Sequence, residues 1–492
     1  MSHAYRQGSR AWEALAAVCA QGYGSGMAKR HDYRARPEPR WEDGRFVPPF
    51  PNVIEKRVSD WDRIDWLRYI LAAAKNPMLA VTREGIETHD VVVHSQGYDF
   101  FVPTSPAAIR EAFVEKADRL RHSDIRNAIL KPALREGLLT AEGARWRQDR
   151  RALAPVFTPR RVDGFADTIA RATADLLPGL LAGNAVAFDQ LMVELTYGVL
   201  SQALFSGDLE RGRTINLREI DRFLNTMGRP DPLDFVDVPQ WIPRLSRVGR
   251  MGPVKRLRRF ITEIVEERRA APDAARDDLL SVLLAEDAFD EGQLQDQLIT
   301  FIAAGHETTS RALTWLFYLL SQDHSARDRL EAEVDALDTS RPAICWPEHL
   351  PFVRACFDEA MRLYPPAPFL SRQLSEDTVL AGQAMNKNAI VFCNIAVVHR
   401  HRLQWDQPDA FVPERFLEGA PEAVPIDRYQ YLPFGVGPRV CIGARFAVLE
   451  AVILIAEIAR RYRLDLDGPH PWPVARVTVR PEQPLQMRVS RR

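Results

Sequence analysis

The run Phe434-Gly435-Val436-Gly437-Pro438-Arg439-Val440-Cys441-Ile442-Gly443 constrains this chain more than any other stretch. Gly435, Gly437 and Gly443 free the backbone for tight turns and for close approach of a large flat ligand. Arg439, two residues before the cysteine, offers a cation to an anionic group on such a ligand. A nearly continuous apolar helix pattern covers residues 444–461, so Cys441 stands just ahead of a helix N-terminus. There the dipole and the unpaired N–H groups favour a thiolate over a thiol. Most lone cysteines are buried structural residues. Composition argues otherwise here: at background frequencies the six specified residues (Phe, Gly, Gly, Arg, Cys, Gly) coincide on the order of once in 10⁸ windows. The run reads as a loop presenting a single thiolate to a metal.

The rest of the composition narrows the class. The chain has 492 residues, 46% apolar and 27% charged, with a net charge of -1. That balance is ordinary for a globular enzyme and, without a long basic run, speaks against nucleic acid as a partner. Cys19, Cys345, Cys356, Cys393 and Cys441 are scattered, odd in number and without a CxxC pair, which fits a reducing compartment rather than a disulfide framework or a zinc site. No segment reaches the ~18–20 consecutive apolar residues of a membrane span, so no transmembrane anchor is expected. Residues 12–20 are a short apolar stretch interrupted by Glu13 and followed by charge, unlike a secretory signal. The expectation is a cytoplasmic protein. A mitochondrial presequence is the alternative, because residues 1–45 are richer in arginine than in acid. Those residues read as a poorly ordered extension, and residues 46–492 as one domain.

Along that domain, residues 61–75 read as an amphipathic helix stopped by Pro77, and residues 90–93 and 98–102 as strands. A short helix is expected at 107–114. Residues 115–139 lack strong periodicity and look like a long loop with short helical pieces. Helices then dominate, at 142–157, 163–182, 188–206, 214–227, 253–270, 277–286, 291–321, 324–336 and 351–364, while strands return at 368–392 and 474–489. No linker or repeat divides the chain. The expected fold is mainly α with small β-sheets, in one large domain crossed by a long central helix. A single core this large needs something to be organised around.

The central helix, 291–321, is ~30 residues and roughly 45 Å long, and apolar nearly all round, as a helix through a core must be. It carries Ala304-Gly305-His306-Glu307-Thr308. Gly305 costs about 1 kcal/mol against alanine there, and the Thr308 hydroxyl can take the Ala304 carbonyl. Together they weaken one turn and leave space beside the backbone. Glu359 and Arg362, three apart on a helix, share a face, a spacing common on solvated helices. Pro413-Glu414-Arg415-Phe416 follows some fifty residues later.

The cysteine run resembles the haem-binding loop of the cytochrome P450 family, a class of Cys-thiolate haem proteins. The likeness covers roughly residues 50–490, and its motifs stand in the family's order. It implies Cys441 as the iron ligand, with Phe434, Ala304 and Gly443 against the haem. It implies Trp146, Arg150, Arg372 and Arg439 as partners of the haem propionates, His399 being a weaker candidate. Glu359, Arg362 and Arg415 become a structural triad on the thiolate side. Glu307 and Thr308 become the acid–alcohol pair of the oxygen-binding helix, Thr308 holding oxygen and water and Glu307 feeding protons. His306 points away from Ala304 and Thr308 at ~100° per residue, so it is not expected as a second axial ligand.

The implied activity is a haem b monooxygenase, using O2 and NAD(P)H-derived electrons to hydroxylate or epoxidise a lipophilic small molecule. The wording of the central helix is closer to the fatty-acid and microsomal-like branch than to the camphor-type branch. No Gly-rich flavin or nicotinamide fingerprint follows the cysteine helix, so electrons are expected from a ferredoxin or flavodoxin with its reductase, or from a separate reductase. Arg145, Arg147, Arg151 and Arg445 would steer that partner. Substrate contacts are expected from 115–139, 205–250, 301–304, 367–370 and 482–485. A haem-thiolate peroxygenase or isomerase, or a non-catalytic haem sensor, are the alternatives.

Overall fold

The computed structural model describes residues 36–79, 81–94, 99–180, 185–227, 251–270, 276, 278–285 and 289–492. The expectations for residues 1–35, for Tyr98 and for 228–250 lie outside them. The helices, in chain order, are α1 Arg63–Lys75, α2 Arg83–Glu87, α3 Pro106–Arg110, α4 Asp124–Leu134, α5 Gly143–Leu153, α6 Pro159–Gly164, α7 Ala166–Leu180, α8 Phe188–Phe205, α9 Arg213–Met227, α10 Met251–Ala270, α11 Leu279–Ala285, α12 Glu291–Gln322, α13 His324–Asp335, α14 Pro351–Leu363, α15 Ile395–Val398 and α16 Ala444–Ala459. The strands are β1 Arg40–Glu42, β2 Arg45–Val47, β3 Val91–His94, β4 Asp99–Val102, β5 Leu120–His122, β6 Ala185–Ala187, β7 Phe369–Leu374, β8 Thr378–Leu380, β9 Gln383–Met385, β10 Ile390–Asn394, β11 Tyr462–Leu466, β12 Pro473–Ala475, β13 Val479–Pro481 and β14 Gln486–Arg491.

Helix starts follow from the residues that begin them. Asp62 caps α1 in a capping box with Asp65, and Asp290 caps the central helix α12 with Gln293 in the same way. Asp323 ends α12 and caps α13, its carboxylate accepting from Ala326 N–H at 2.9 Å. The principal core forms between the inward faces of α7, α8, α12, α14 and α16, where Trp315 stacks on Tyr364 at 4.0 Å. A second core lies on a five-stranded sheet ordered β3-β4-β10-β7-β5, in which only β10 and β4 run parallel. Leu432, at the entry to the cysteine loop, belongs to this second core. The sheet and the loop therefore share packing.

Two expectations change. Residues 115–139 are not mostly loop: β5 adds to the free edge of β7, and α4 follows at once. Ser123 starts α4, its hydroxyl accepting from Arg126 N–H at 3.3 Å. Most of α4 is half-buried on every side and it contains Pro132, so neither periodicity nor the usual helix signals mark it. The compact unit begins at Arg36, ahead of residue 46, because β1 pairs with β2 and Phe411 N–H bonds the Phe46 carbonyl at 2.8 Å.

Glu450, in α16, is fully buried, and neither carboxyl oxygen has a hydrogen-bond partner. Burial pushes it up to about 8. At neutral pH it is a neutral acid in the fold and an ionised one in the unfolded chain. Below about pH 4 it is protonated in both states, so the pH-linked part of its burial cost is absent. The cost grows as pH rises toward 8, where it reaches several kcal/mol and levels off. Glu450→Gln should raise Tm at pH 7.5 and leave it nearly unchanged at pH 4.5. An equal gain at both pH values would show that charge is not the cause.

Candidate functional site

The cysteine loop is closed by its own backbone. Cys441 N–H bonds the Phe434 carbonyl at 2.9 Å, Gly435 N–H the Leu432 carbonyl at 3.0 Å, and Val440 N–H the Gly437 carbonyl at 3.1 Å. Gly437 has φ +75°, and a Cβ there would stand 2.0 Å from the Phe113 carbonyl oxygen, so only glycine fits. Gly443 caps α16. Cys441 is exposed, whereas Cys356 and Cys393 are buried, with burial pushing Cys393 up to about 12. The wall around Cys441 desolvates its thiol enough to push it up. The Gly443 N–H and the Arg150 guanidinium pull the other way.

The loop is held from below by the expected Glu359, Arg362 and Arg415. Glu359 and Arg362 are fully buried and pair through two bonds, Nε to Oε2 at 2.7 Å and Nη2 to Oε1 at 2.8 Å. Arg415 Nε reaches Glu359 Oε1 at 3.2 Å. The remaining donors take the carbonyls of His399, Pro408, Ala410, Asp406 and Gln407. A solvated face is ruled out. His399 extends this network rather than facing a propionate. Its Nδ1 bonds the Arg362 carbonyl at 3.1 Å, and its Nε2 accepts from Leu432 N–H at 2.8 Å. Burial and the Arg362 charge hold it down to about 3, so it is neutral. With both nitrogens engaged, it has none to offer a ligand.

Cations gather beside the loop. Arg439 lies 4.5 Å over the Trp146 ring and bonds the Ala141 carbonyl at 2.8 Å. Burial first, and then repulsion from neighbouring guanidinium groups, lower Arg126 and Arg372, the latter to about 10, and the same two causes keep His122 a neutral ring. Both ring nitrogens of His122 and one Arg126 nitrogen lack partners. Glu142 is the acid that acts on Arg126, Arg372 and Arg439. Arg150 takes no part in this mutual repulsion; its electrostatic partner is Cys441. Sequence reasoning missed His122 and Arg126. Their spacing of four, astride the Ser123 cap, was the available signal.

On α12, Ala304 is exposed and Thr308 half-buried within a helix that is otherwise largely buried. Thr308 Oγ1 bonds the Ala304 carbonyl at 2.8 Å, as expected. Phe301 stacks on Phe157 at 5.4 Å, and Phe157 in turn lies against Gly443. These contacts tie the helix to the cysteine loop. The expected space beside Gly305 is filled: a Cβ there would meet Leu200 at 2.8 Å, so the glycine lets α8 approach. His306 is buried, with Nδ1 2.5 Å from the Ile302 carbonyl and its ring edge-on to Tyr197 at 5.6 Å. Glu307 is clamped. Its Oε1 accepts from Arg311 Nε (3.0 Å), Arg480 Nη2 (3.1 Å) and the Thr478 hydroxyl (2.8 Å), and its Oε2 from Arg311 Nη2 (3.4 Å). Burial alone would raise it, but Arg311, Arg480 and His306 hold it down to about 2.

This fold, and a lone exposed cysteine in a glycine loop beside a long buried helix, define a haem-thiolate protein. The chain belongs to the cytochrome P450 family, whose model matches residues 87–489. It is similar to cyclooctatin synthase of Streptomyces melanosporofaciens, 31% identical over 72% of this chain and 77% of that one. It is also similar to cytokinin hydroxylase of Arabidopsis thaliana, 28% identical over 71% of each. Among solved structures it resembles a cytochrome P450, CYP102L1, with TM-score 0.69 and 25% identity, covering 82% of this chain and 95% of that one. It is therefore a haem-dependent monooxygenase, and P450 enzymes need a redox partner. Among the described residues no helix is long and apolar enough to cross a membrane.

The residues present fit haem. A ligand with two carboxylates would balance the cations Arg126, Arg372 and Arg439, whose nearby counter-charge is Glu142, and would accept from the N–H of the neutral, unpartnered His122 ring. Arg126→Ala should therefore weaken haem retention about 10- to 100-fold, the worth of one charge-assisted bond. The haem-free protein should keep its Tm, because a repulsive charge has gone. A fall in Tm with full haem retention would make Arg126 a scaffold residue.

Proposed function

We propose that the protein inserts one oxygen atom into a lipophilic molecule, by hydroxylation or epoxidation, at a haem b held by Cys441. Electrons would come from NAD(P)H through a ferredoxin or flavodoxin system, or through a separate reductase. The observation that carries this is Ala304, exposed, and Thr308, half-buried, one turn apart on a core helix that packs through Phe301 and Phe157 against the cysteine loop. When bound, haem with a thiolate ligand supplies the cleavage of the O–O bond. Trp146, Arg439, Arg372, Arg126 and His122 anchor its carboxylates, and Phe434, Gly443 and Ala304 bound its faces. Arg150 steadies the thiolate. Thr308 holds an ordered water at the oxygen side, and Glu307 passes protons to it.

The substrate class rests on the apolar character of the expected contact residues: Phe301, Phe369 and Leu485 pack with the principal core and Leu370 with the second. Cys441→Ala should abolish the red-shifted Soret band of the ferrous–CO form, and an unchanged spectrum would remove the thiolate assignment. Thr308→Ala should bind substrate and accept the first electron normally, since alanine keeps the helix. NAD(P)H would then be spent on hydrogen peroxide instead of product. Wild-type product per NAD(P)H in that variant would sink the role given to Thr308.

Partner docking is proposed on the Cys441 side. Two of the four arginines expected to steer it are neutralised, Arg145 by Asp149 at 2.7 Å and Arg445 by Asp163 at 2.6 Å. Arg147 and Arg151 remain exposed on α5. Reduction by an acidic ferredoxin should slow as salt is raised from ~0.05 to ~0.5 M. In an Arg147→Glu, Arg151→Glu variant that dependence should largely vanish; if it persists in full, the partner docks elsewhere.

A further inference from the structure

The Glu307 clamp does not end at the central helix. Arg480 in β13 divides its guanidinium: Nη2 goes to Glu307 at 3.1 Å, and Nη1 to Asp221 of α9 at 3.1 Å. On the other side, Arg311 Nη1 is 3.6 Å from the carboxylate of Asp189 in α8, and Asp189 Oδ1 accepts from Leu485 N–H at 2.9 Å. Among the described residues, three carboxylates (Asp189, Asp221, Glu307) thus share two guanidinium groups, with the Thr478 hydroxyl and neighbouring His306 also facing Glu307. Glu307 and Arg311 are buried, and Arg480 is 10% exposed. Asp221 is different: it is 56% exposed and sits on the outermost of the linked elements.

We propose that Arg480 is a positioning residue whose guanidinium sets how firmly Glu307 is held, and that Asp221 competes for it, so the seating of α9 is read at the central helix. The consequence for turnover rests on the assignment of Glu307 to the proton path. A carboxylate saturated by two arginines is a poor proton carrier, because the efficient carrier titrates near the working pH. When Asp221 draws on Arg480, Glu307 is partly released. When α9 moves off, Arg480 is drawn more to Glu307 and holds it ionised. Charge explains the sign. Removing Asp221 takes one negative charge from the cluster and leaves the arginines more available to Glu307, whereas removing Arg480 takes one positive charge and leaves them less so. The flat fork of arginine, which can serve two acceptors at once, suits it to this sharing better than lysine.

The test uses the haem-loaded full chain. The C–O stretch of the ferrous–CO form reads the local field without turnover, and the solvent isotope effect on NAD(P)H oxidation, with dodecanoic acid as probe, reads proton supply. Asp221→Asn and Arg480→Gln should shift the C–O stretch in opposite directions, with Arg480→Lys between Arg480→Gln and wild type. Both shifts should shrink in a Glu307→Gln background. Asp221→Asn should slow oxidation by about two- to tenfold and enlarge the isotope effect, and Arg480→Gln should reduce that effect. Shifts of equal size with Glu307→Gln present would overturn the proposal, since the coupling would bypass Glu307. So would no shift at all. If the shifts depend on Glu307 while Glu307→Gln leaves the isotope effect unchanged, the coupling stands and the proton role of Glu307 falls.

Discussion

Positive charge packed around the cysteine loop is the constraint the rest of the structure has to answer. Arg126 arrives from α4, Arg372 from the strand β7 and Arg439 from the loop itself, with the neutral ring of His122 on β5 among them. Burying like charges together is unfavourable unless counter-charge arrives. The carboxylate Glu142 helps, and the carboxylates of haem would complete the balance. The cofactor would then be part of the fold's electrostatics as well as its chemistry. The same argument explains why β5 and α4 follow each other without a loop: the edge strand carries His122, and the helix cap at Ser123 fixes where Arg126 points.

A second, opposite solution is used beneath the loop. Glu359 places one carboxylate between two arginines, and every remaining donor of Arg362 and several of Arg415 meet backbone carbonyls. A buried pair of this kind is weak evidence of net stability, but removing either partner strands a charge. What it provides is position. Arg362 and Glu359 bind the chain from His399 to Val412, and His399 passes that placement to Leu432, where the cysteine loop begins. The register of Cys441 is therefore set by hydrogen bonds running from α14, not by the loop alone.

The cysteine loop, most of the long helices and the central helix among them were legible in the sequence from local spacing or from a residue type with few alternatives. The Glu359–Arg362–Arg415 cluster was legible only through the family resemblance, since Arg415 lies over fifty residues from its partner. What was not legible depends on partners distant in the chain. His122 and Arg126 lie in a segment whose burial is even on all sides and whose helix contains Pro132, so periodicity was silent. Gly305 suggested free space from its own lack of a side chain, yet Leu200, over a hundred residues earlier, fills it. His399 looked like a spare cation, while burial beside Arg362 leaves it neutral and fully bonded.

Glu307 shows most clearly why a motif does not determine a state. Beside Thr308 it reads as an acid ready to give protons, and motif spacing can say no more. Its protonation depends on Arg480 and Thr478, some 170 residues away, and on Arg311 one helical turn on. Those partners hold it ionised far below neutral pH. Any proton that passes through Glu307 must therefore pass during an excursion from this clamp, whose energy the arginines set. Because one of them is shared with an exposed aspartate on another helix, that energy is not a property of the central helix. It belongs to the way α8, α9, α12 and β13 are packed together. On the proposed proton role of Glu307, substitutions far from the iron site would alter the timing of proton supply while leaving every residue of the cysteine loop in place.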